Sequence, residues 1–255
     1  MKTVLITGCS SGFGLVTARY FLERGWNVIA TMRSPETNPL AASEALRVLP
    51  LDVTDRESIE RLVDAAGPID VLVNNAGIGW LNALEGTPMH VARSLFETNT
   101  IGTMAVTQAF LPQFRKRRHG VIVNVTSSVT LAPLPLLSVY TASKAAVNAF
   151  TESLFLELEP FNIRAHLVLP GRAPETRFSQ SAQGRIAENG GFPDAYAEVV
   201  QAVFAGWAEL SPAAVTQPGD VAEAIWRAAT DPSAPMRIPA GADAEALTDA
   251  TGRAA

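Results

Sequence analysis

Short apolar runs alternate with helical patterns along most of the chain, and this alternation limits the folds that the chain can adopt. The runs are mostly continuous, which is typical of strands covered on both faces. They lie at residues 4–6, 28–30, 69–73, 121–125 and 163–169, with a final run near 236–239. The clearest helical pattern between them has Ala146, Phe150, Leu154 and Leu158 at steps of four. The alternation predicts an α/β fold, a doubly wound parallel sheet with helices on both faces.

No internal repeat, low-complexity tract or interdomain linker divides the 255 residues, so we expect one domain spanning residues 1–255. The alternation of apolar runs and helical patterns is interrupted only between about 172 and 217, where several glycines precede a helical pattern that contains Tyr196, Phe204 and Trp207. A long insertion without a strand, late in such a sheet, is typical of a lid or binding loop. We therefore expect a substrate lid at 172–217. The alternative is that its aromatic residues only pack the helix down.

Charge and histidine placement exclude two kinds of function. The formal net charge of −5 argues against a nucleic-acid partner, whose binding surface would be basic. The basic run at 115–119 ends a predicted helix, where cations complement the helix dipole. His90, His119 and His166 are scattered, without carboxylate or cysteine neighbours at ligand spacing. We expect no nucleic-acid partner and no catalytic metal.

The single cysteine and the absence of long apolar stretches bear on location. Cys9 alone cannot form an internal disulfide, which fits a reducing compartment. The first strand begins at Thr3, which leaves no room for a signal peptide before it. No uninterrupted apolar stretch reaches membrane-spanning length. These features predict a cytoplasmic protein without a membrane partner.

A glycine-rich turn, residues 7–14, follows the first apolar run directly. Glycines at 8, 12 and 14 let the backbone turn tightly and approach a pyrophosphate at the positive start of the next helix. A glycine-rich string alone is weak evidence, but this one opens a strand-turn-helix unit of Rossmann type. The predicted cofactor-binding residues of the turn are Gly8, Ser10, Ser11, Gly12, Phe13 and Gly14.

The end of the second apolar run indicates which nicotinamide cofactor to expect. An acidic residue there would bind the ribose 2′-hydroxyl of NAD, and a basic one would accommodate the 2′-phosphate of NADP. No acid is present, and Arg33 is, so we favour NADP(H), with NAD(H) possible. Arg33 as an ordinary surface residue is the alternative. After the third strand, Asp52 and Val53 could accept a hydrogen bond from the adenine amine.

Tyr140 and Lys144 are the residues with the strongest catalytic potential. A free tyrosine has a pKa of about 10, too high for an efficient base near neutral pH. Positions i and i+4 share one face of a helix, so Lys144 can lie beside Tyr140. We expect its ammonium to lower the pKa of the phenol and to reach a ribose hydroxyl. The pair alone is common by chance.

Several motifs occur together with this pair and in a fixed order. They are residues 7–14, Asp52-Val53, 74–77, Asn99, Ser127, 140–144 and Pro170-Gly171. In this order and at these spacings the chain resembles the short-chain dehydrogenase/reductase family in its single-domain form. The glycine-rich turn and the end of the second strand, residues 30–33, are similar to those of the NADP-preferring, hydroxysteroid- and retinol-dehydrogenase-like branch of that family.

The resemblance implies a role for each site residue. Tyr140 is the general acid in reduction and the base in oxidation, and Lys144 also holds the nicotinamide ribose. Ser127 bonds the substrate carbonyl, and its neighbour Ser128 fits that role less well. Asn99 holds a water that connects Lys144 to solvent. The resemblance assigns the cofactor cleft to Asn75, Ala76, Gly77, Pro170 and Gly171.

Two positions depart from the family pattern. Thr130 stands where a glycine often follows the serine motif, which could alter the loop over the substrate. Thr176 comes one residue later than expected after Pro170-Gly171, so its contact with the nicotinamide carboxamide is open. Backbone contact from the segment after Gly171 is still expected.

Apolar residues around the catalytic pair indicate an apolar or aromatic ketone, aldehyde or secondary alcohol as substrate. They are Leu131, Pro133, Leu134, Leu136, Leu137 and Val139, with Phe178, Phe192 and Tyr196 in the expected lid. Several of the leucines could instead belong to the core. A catalytically silent NADP(H)-binding sensor or scaffold, an NAD(H)-preferring alcohol dehydrogenase and an epimerase or dehydratase are the alternative functions. The family also implies a homodimer or homotetramer.

Overall fold

The fold is an all-parallel sheet between two layers of helices, as the alternation predicted. In the computed structural model, the described residues are 1–209, 211 and 214–252. Leu210, Pro212 and Ala213 of the expected lid, and residues 253–255 of the expected domain, lie outside them. The strands are β1 (Thr3–Ile6), β2 (Asn27–Met32), β3 (Leu46–Pro50), β4 (Val71–Asn74), β5 (Gly120–Val125), β6 (Ile163–Pro170) and β7 (Arg237–Ala240).

The helices fill the intervals between these strands. They are α1 (Gly12–Glu23), α2 (Arg56–Ala66), α3 (Met89–Phe96), α4 (Gly102–Arg117), α5 (Ser138–Leu158), α6 (Arg177–Glu188), α7 (Ala197–Ala208), α8 (Pro218–Thr230) and α9 (Ala242–Thr251). A π-helical turn, Glu97–Ile101, joins α3 to α4, and short 3-10 turns occupy Pro35–Thr37, Ser128–Thr130, Glu159–Phe161 and Asp194–Tyr196.

The strand order is β3-β2-β1-β4-β5-β6-β7, and neighbouring strands run parallel. The chain winds outward from β1 to β3 and then returns to place β4 on the other side of β1. The strand order therefore reverses between β1 and β4. In open sheets of this kind, a crevice beyond the carboxyl ends of the strands at that point is the usual ligand site.

The continuous apolar runs are explained by a core on each face of the sheet. Alternate residues of a strand point to opposite faces. On β1, Val4 and Ile6 join the cluster that contains Phe21 of α1 and Ile225 of α8. Leu5 between them joins the cluster on the other face, built with α2, α4 and α5. Both faces are buried, so the strands are mostly apolar, and the few polar side chains buried on them form hydrogen bonds, as Asn74 Nδ2 does by donating to Asn124 Oδ1 at 2.8 Å.

The apolar stripe predicted on α5 is only partly the buried face of that helix. Leu154 and Leu158 are buried, whereas Ala146 and Phe150 are half-buried. The buried face also contains Ser143 and Thr151, with Val147 between them. Buried hydroxyls on α5 can bond backbone carbonyls, as Thr151 Oγ1 does by donating to Val147 O at 2.7 Å. A buried helix face that contains polar residues cannot be predicted from the spacing of apolar residues alone.

Residues 172–217, called the 172–217 segment below, carry α6 and α7 and no strand among the described residues, as predicted. The segment contacts the loop after β4: Asn82 Nδ2 donates to Gly191 O at 2.8 Å, and Tyr196 donates to Glu85 Oε2 at 3.0 Å. Its two ends meet where Thr216 N donates to Arg172 O at 3.0 Å. The segment is therefore a closed loop over the carboxyl edge of the sheet.

Candidate active site

One large cavity opens beyond the carboxyl ends of the central strands. Its volume is about 1490 Å³, larger than the roughly 300–1,000 Å³ of an ordinary small-molecule site. Sixteen of the predicted site residues line it: Gly8, Ser10, Ser11, Gly12, Phe13, Arg33, Asp52, Val53, Asn75, Ala76, Gly77, Ser127, Tyr140, Lys144, Pro170 and Gly171. Gly14 and Asn99 lie behind its wall. The cavity has room for a dinucleotide and a substrate together.

The glycine-rich turn is held by close packing that side chains would prevent. Gly8 has a φ of +75°, and a Cβ there would lie 2.9 Å from Ala76 Cα. A Cβ on Gly14 would collide with the Gly8 carbonyl, so Gly14 acts by letting α1 approach the turn. Gly12, at a φ of +58°, begins α1 and faces the cavity. Backbone N–H groups at this helix start suit a pyrophosphate.

Asn75 and Thr7 join the turn to the end of β4. Asn75 Nδ2 donates to Thr7 O at 2.9 Å and to Gly8 O at 3.2 Å. In return, the Thr7 hydroxyl accepts from Asn75 N and Ala76 N, each at 2.9 Å. Thr7 is buried, and its contribution was missed because a threonine before a glycine turn carries no distinctive pattern.

The adenosine end of the cavity carries Arg33 and Asp52. Asp52 Oδ1 accepts from Thr54 N at 2.9 Å and from Thr54 Oγ1 at 2.7 Å. These bonds, and more weakly the charge of Arg33, hold the pKa of Asp52 below its usual value. Arg33 is exposed, and within the described part of the chain its guanidinium has no hydrogen-bond or ion-pair partner. It can therefore meet an anionic ligand directly.

Ser127, Tyr140 and Lys144 are brought together at the other end of the cavity. All three are buried, with Tyr140 only 8% and Lys144 only 5% exposed. Lys144 Nζ donates to Val125 O, the last residue of β5, at 3.1 Å. Ser127 follows directly after Thr126 at that strand end, and its hydroxyl accepts from Val129 N at 3.4 Å. The strand end and α5 thus present a hydroxyl, a phenol and an amine to one space.

The pKa of Tyr140 corrects one expectation. The sequence predicted that Lys144 lowers this pKa, but burial raises it to about 12, and only a side-chain hydrogen bond with Ser127 opposes the rise. Removal from water destabilises the phenolate. In the chain by itself, the pKa of Lys144 is also lowered by burial, to about 8. The phenol is therefore protonated at neutral pH and suited to give a proton.

Asn99 lies in the π-helical turn rather than at a helix end. Its Oδ1 accepts from Ile78 N at 2.8 Å, and its Nδ2 donates to Ile78 O at 2.9 Å and to Ser143 Oγ at 3.1 Å. A Cβ placed on Gly77 would lie 3.1 Å from Asn99 Oδ1 and 3.4 Å from Lys144 Nζ. Gly77 thus keeps the floor of the cleft open. Single π turns are frequent at functional sites.

Thr130 has a structural role that the sequence did not reveal. Its hydroxyl donates to Ser127 O at 2.8 Å and accepts from Asn148 Nδ2 of α5 at 2.9 Å. The loop that carries Ser127 is therefore fastened to the helix that carries Tyr140. Ser128, the less favoured serine, also lines the cavity.

The segment after Pro170-Gly171 is anchored by α9. Asp243 lies against Gly171, accepts from Arg172 N at 2.6 Å and receives a 2.7 Å bond from Thr216 Oγ1. Thr176 is buried, and its hydroxyl donates to Ala173 O at 2.9 Å. It stands over the glycine-rich turn, 3.9 Å from a Cβ placed on Gly12. The extra residue before Thr176 does not remove it from the cavity wall.

Aromatic and aliphatic side chains form the wall beside Tyr140. The predicted Leu134, Leu137, Phe178 and Phe192 line the cavity, joined by Trp80, Leu81, Val129, Phe204 and Trp207. Leu131 and Leu136 instead belong to buried clusters. The ring of Phe178 lies 6.0 Å from that of Tyr140, centroid to centroid. Phe178 and Ala182 of α6 contact Gly79, which brings the 172–217 segment to the catalytic end.

Two features, a metal site and a membrane-spanning helix, were searched for in the part of the chain that the structure describes. The described residues contain no group of three or more histidine, cysteine, aspartate or glutamate side chains placed to hold a metal ion. They also include no helix with the length and apolar character required to cross a bilayer. The cytoplasmic location stays a prediction.

A doubly wound parallel sheet, a glycine-rich turn at its switch point and a buried Ser-Tyr-Lys set define a dinucleotide-binding oxidoreductase class. Residues 2–185 match the model of the short chain dehydrogenase family. The chain is therefore a short-chain dehydrogenase/reductase, and the resemblance inferred from the motifs is confirmed.

Relatives of several activities share this family. The uncharacterized oxidoreductase YusZ of Bacillus subtilis is 38% identical over 90% of this chain and 85% of its own. Human retinol dehydrogenase 8 is 41% identical over 67% of this chain, and this chain covers 58% of that protein. A short-chain dehydrogenase from Streptomyces avermitilis has a TM-score of 0.82 at 32% identity, covering 98% of this chain and 91% of its own. One from Burkholderia cenocepacia in complex with NADP has a TM-score of 0.80 at 25% identity, covering 100% and 95%.

Proposed function

We propose that this chain is an NADP(H)-dependent oxidoreductase that interconverts an apolar or aromatic ketone or aldehyde and the corresponding alcohol. The observation that carries the proposal is the shared cavity: Ser127, Tyr140 and Lys144 line the same space as the glycine-rich turn. The turn and the open floor at Gly77 fit a dinucleotide, because side chains at these glycines would fill the cradle. When bound, the cofactor supplies or accepts the hydride.

In reduction, the chain supplies a proton and holds the substrate oxygen. The Tyr140 phenol, with its pKa raised to about 12, is protonated at neutral pH and donates its proton to that oxygen. The Ser127 hydroxyl donates a hydrogen bond to the same oxygen and stabilises the charge that develops there. In oxidation, the same phenolic oxygen takes the proton from the alcohol.

Lys144 keeps a positive charge beside the phenol after the proton has left. Its pKa of about 8 lies near working pH, so most of the population is cationic at pH 7. Val125 O holds the ammonium in place, which leaves further N–H groups for a ribose hydroxyl. Asn99 is proposed to hold a water that completes the proton path to solvent. Its side-chain amide already bonds Ile78 and Ser143, so the water would use the second lone pair of its main-chain carbonyl, which also accepts from Thr103 Oγ1 at 2.9 Å.

The preference for NADP(H) rests on Arg33. Its guanidinium reaches the cavity without a partner in the described part of the chain, at the strand end where the ribose 2′-position is recognised in such folds. Similar structures hold NADP, including the Burkholderia cenocepacia protein, but a 3-ketoacyl-(acyl-carrier-protein) reductase from Brucella melitensis holds NADH. The family alone therefore leaves the choice to residues such as Arg33.

The apolar substrate class rests on the wall formed by residues such as Trp80, Phe178 and Trp207. Two relatives are named for long apolar substrates: retinol dehydrogenase 8 and a 3-ketodihydrosphingosine reductase from Bacteroides thetaiotaomicron, 40% identical over 67% of this chain. This chain covers 63% of the second protein. These names support an extended apolar carbonyl compound without identifying one.

The test is oxidation of NADPH and of NADH by purified protein against a panel of aryl, alkyl and long-chain ketones and aldehydes. Tyr140→Phe is the matched control, because it removes only the hydroxyl. We expect turnover that favours NADPH and falls at least about a thousandfold in the control. Tight NADPH binding without turnover of any compound would instead favour the silent sensor.

A further inference from the structure

A second arginine lines the cavity within electrostatic range of Arg33, on helix α6. Arg185 of α6 lines the same cavity as Arg33 and is half-buried. Burial lowers the pKa of Arg185, and the nearby charge of Arg33 lowers it further, whereas Glu188 opposes the effect. The two guanidinium groups are therefore close enough to repel each other across the cavity.

Within the described part of the chain, the Arg185 side chain forms no hydrogen bond and no ion pair within 4 Å, and neither does Arg33. Asp52 near Arg33 is already bonded to Thr54. Two like charges that lie close together repel each other, and an anion bound between them would remove that repulsion. Guanidinium pairs of this kind bind phosphate oxygens with paired hydrogen bonds.

We propose that Arg185 and Arg33 together bind the 2′-phosphate of NADP(H), so that the 172–217 segment itself recognises the cofactor. The proposal rests on the proposed cofactor preference and extends it to a residue outside the sheet. A 2′-phosphate carries close to two negative charges at neutral pH, which two arginines can balance. NADH offers no such group, so it would leave the two cations unbalanced.

The course of α6 indicates that Arg185 contacts the 2′-phosphate rather than the pyrophosphate. Thr176, just before α6, stands over Gly12, where the pyrophosphate is expected. Arg185 follows nine residues later, about 13 Å along a helix that rises 1.5 Å per residue. In between, Phe178 and Ala182 contact Gly79, so the helix lies along the cleft. Arg185, in the last turn of α6, lines the cavity and lies within electrostatic range of Arg33.

The first experiment measures dissociation constants for NADP⁺, NAD⁺, 2′,5′-ADP and ADP by quenching of tryptophan fluorescence, since Trp80 and Trp207 line the cavity. Arg185→Gln should raise the dissociation constants of NADP⁺ and 2′,5′-ADP about tenfold. It should change those of NAD⁺ and ADP less than twofold. Arg227→Gln, in α8 and outside the cavity lining, is the matched charge control, and Arg177→Gln, which also lines the cavity at the start of α6, shows whether any cation of this helix has the same effect. Neither of these two variants should discriminate between NADP⁺ and NAD⁺, which differ only in the 2′-phosphate.

The second experiment follows hydrogen exchange of residues 177–188 in the wild-type chain. Saturating NADP⁺ should slow exchange in α6 more than saturating NAD⁺ does, and Arg185→Gln should remove the difference. Arg185→Lys keeps the charge but loses the paired geometry, and it should fall between the wild type and Arg185→Gln. The wild-type comparison needs no variant, so a variant that failed to fold would leave the test intact.

Each outcome separates this inference from the proposed function. Equal weakening of NADP⁺ and NAD⁺ by Arg185→Gln would overturn the inference and place Arg185 on the pyrophosphate. Loss of NADP⁺ preference in Arg33→Ala but not in Arg185→Gln would overturn the inference alone. Phosphate-specific binding through both arginines, with no hydride transfer to any carbonyl compound, would support the inference and contradict the proposed reaction.

Discussion

Tyr140 and Lys144 lie one helical turn apart, and burial moves their pKa values in opposite directions. The pKa of the phenol rises to about 12 and that of the ammonium falls to about 8, because water no longer stabilises the charged form of either group. The pair therefore starts reduction with the proton on the phenol. The group that titrates near working pH is the lysine, which the sequence motif alone assigned to a supporting role.

This assignment predicts the pH dependence of ketone reduction. Lys144 is cationic below about pH 8 and neutral above it, so kcat/KM for reduction should fall as pH rises through about 8. Difference spectra between the wild type and Tyr140→Phe should show no tyrosinate between pH 7 and about 10, because the pKa of Tyr140 is about 12. A tyrosinate signal that changes with pH in parallel with kcat/KM would contradict this prediction and would mean that the pKa of the phenol is lowered, as the sequence predicted.

The residues that line the candidate site were largely predictable, because most of them belong to a spaced motif at the end of a strand or the start of a helix. Their roles stay predictions. Thr7, Asn148 and Arg185 were not predictable. Thr7 and Asn148 act through hydrogen bonds to residues distant in sequence: Thr7 accepts from Asn75 N and Ala76 N, and Asn148 donates to Thr130. Arg185 acts through a helix whose path over the cleft no local pattern reveals. The direction of the pKa shift at Tyr140 also depends on burial, which the motif does not encode.

At the scale of elements, the loop after β5 and the helix α5 must be held in register. Thr130 provides that connection, since its hydroxyl bonds both Ser127 O and Asn148 Nδ2. The position of Ser127 relative to Tyr140 therefore depends on a residue pair that touches neither substrate nor cofactor. Both are positioning residues.

Thr130→Val should remove both bonds while keeping the shape of the side chain. We expect kcat for ketone reduction to fall about tenfold with KM for NADPH nearly unchanged, as a small displacement of Ser127 costs transition-state stabilisation. Thr130→Ser retains the hydroxyl and should keep most of the activity. Equal losses in the two variants would mean that packing of the methyl group, rather than the hydrogen bonds, matters.

The base of the 172–217 segment depends on α9. Asp243 bonds Arg172 N and Thr216 Oγ1 and so holds together the two ends of the segment. Asp243→Ala should therefore speed hydrogen exchange at residues 171–176 and weaken cofactor binding several-fold, because the backbone beside the cleft loosens. Glu245→Ala, in the same helix turn, is the matched control. Unchanged exchange in Asp243→Ala would show that the segment holds without this anchor.

Most strands were predictable from continuous apolar runs, but β3 (Leu46–Pro50) was not, because it is an edge strand whose residues are half-buried or exposed. Two features of the helices were not predictable either. The π-helical turn at Glu97–Ile101 has no local signature, because it follows from the fit of Asn99 against Ile78 and Ser143. The polar buried face of α5 arises because its hydroxyls bond carbonyls within the helix. Tertiary contacts decide both features.

At the scale of the molecule, the sheet order places a cavity large enough for two ligands at the switch point between β1 and β4. The sheet beneath it packs against an apolar cluster on each face. The homodimer or homotetramer implied by the family stays a prediction. Leu156, 66% exposed on the outer face of α5, is an apolar residue that such an interface would cover.

Cofactor binding should stabilise the whole fold by mass action. At a concentration a hundredfold above its Kd, NADPH should add about 2.7 kcal/mol to the free energy of unfolding, which corresponds to roughly 5–10 °C in Tm for a chain of this size. NADH at the same concentration should add less, and Arg33→Ala should reduce the NADPH shift towards the NADH value. Equal shifts for both cofactors in the wild type would contradict the role of Arg33.

The most direct test of the central claim is transfer of deuterium from NADPH that carries two deuterium atoms at C4 to an apolar ketone or aldehyde, followed by mass spectrometry of the product alcohol. The account predicts one deuterium on the carbinol carbon with the wild-type chain and no labelled alcohol with Tyr140→Phe under the same conditions. Labelled alcohol at an undiminished rate from Tyr140→Phe would contradict the account, because the proton would then come from a group other than Tyr140.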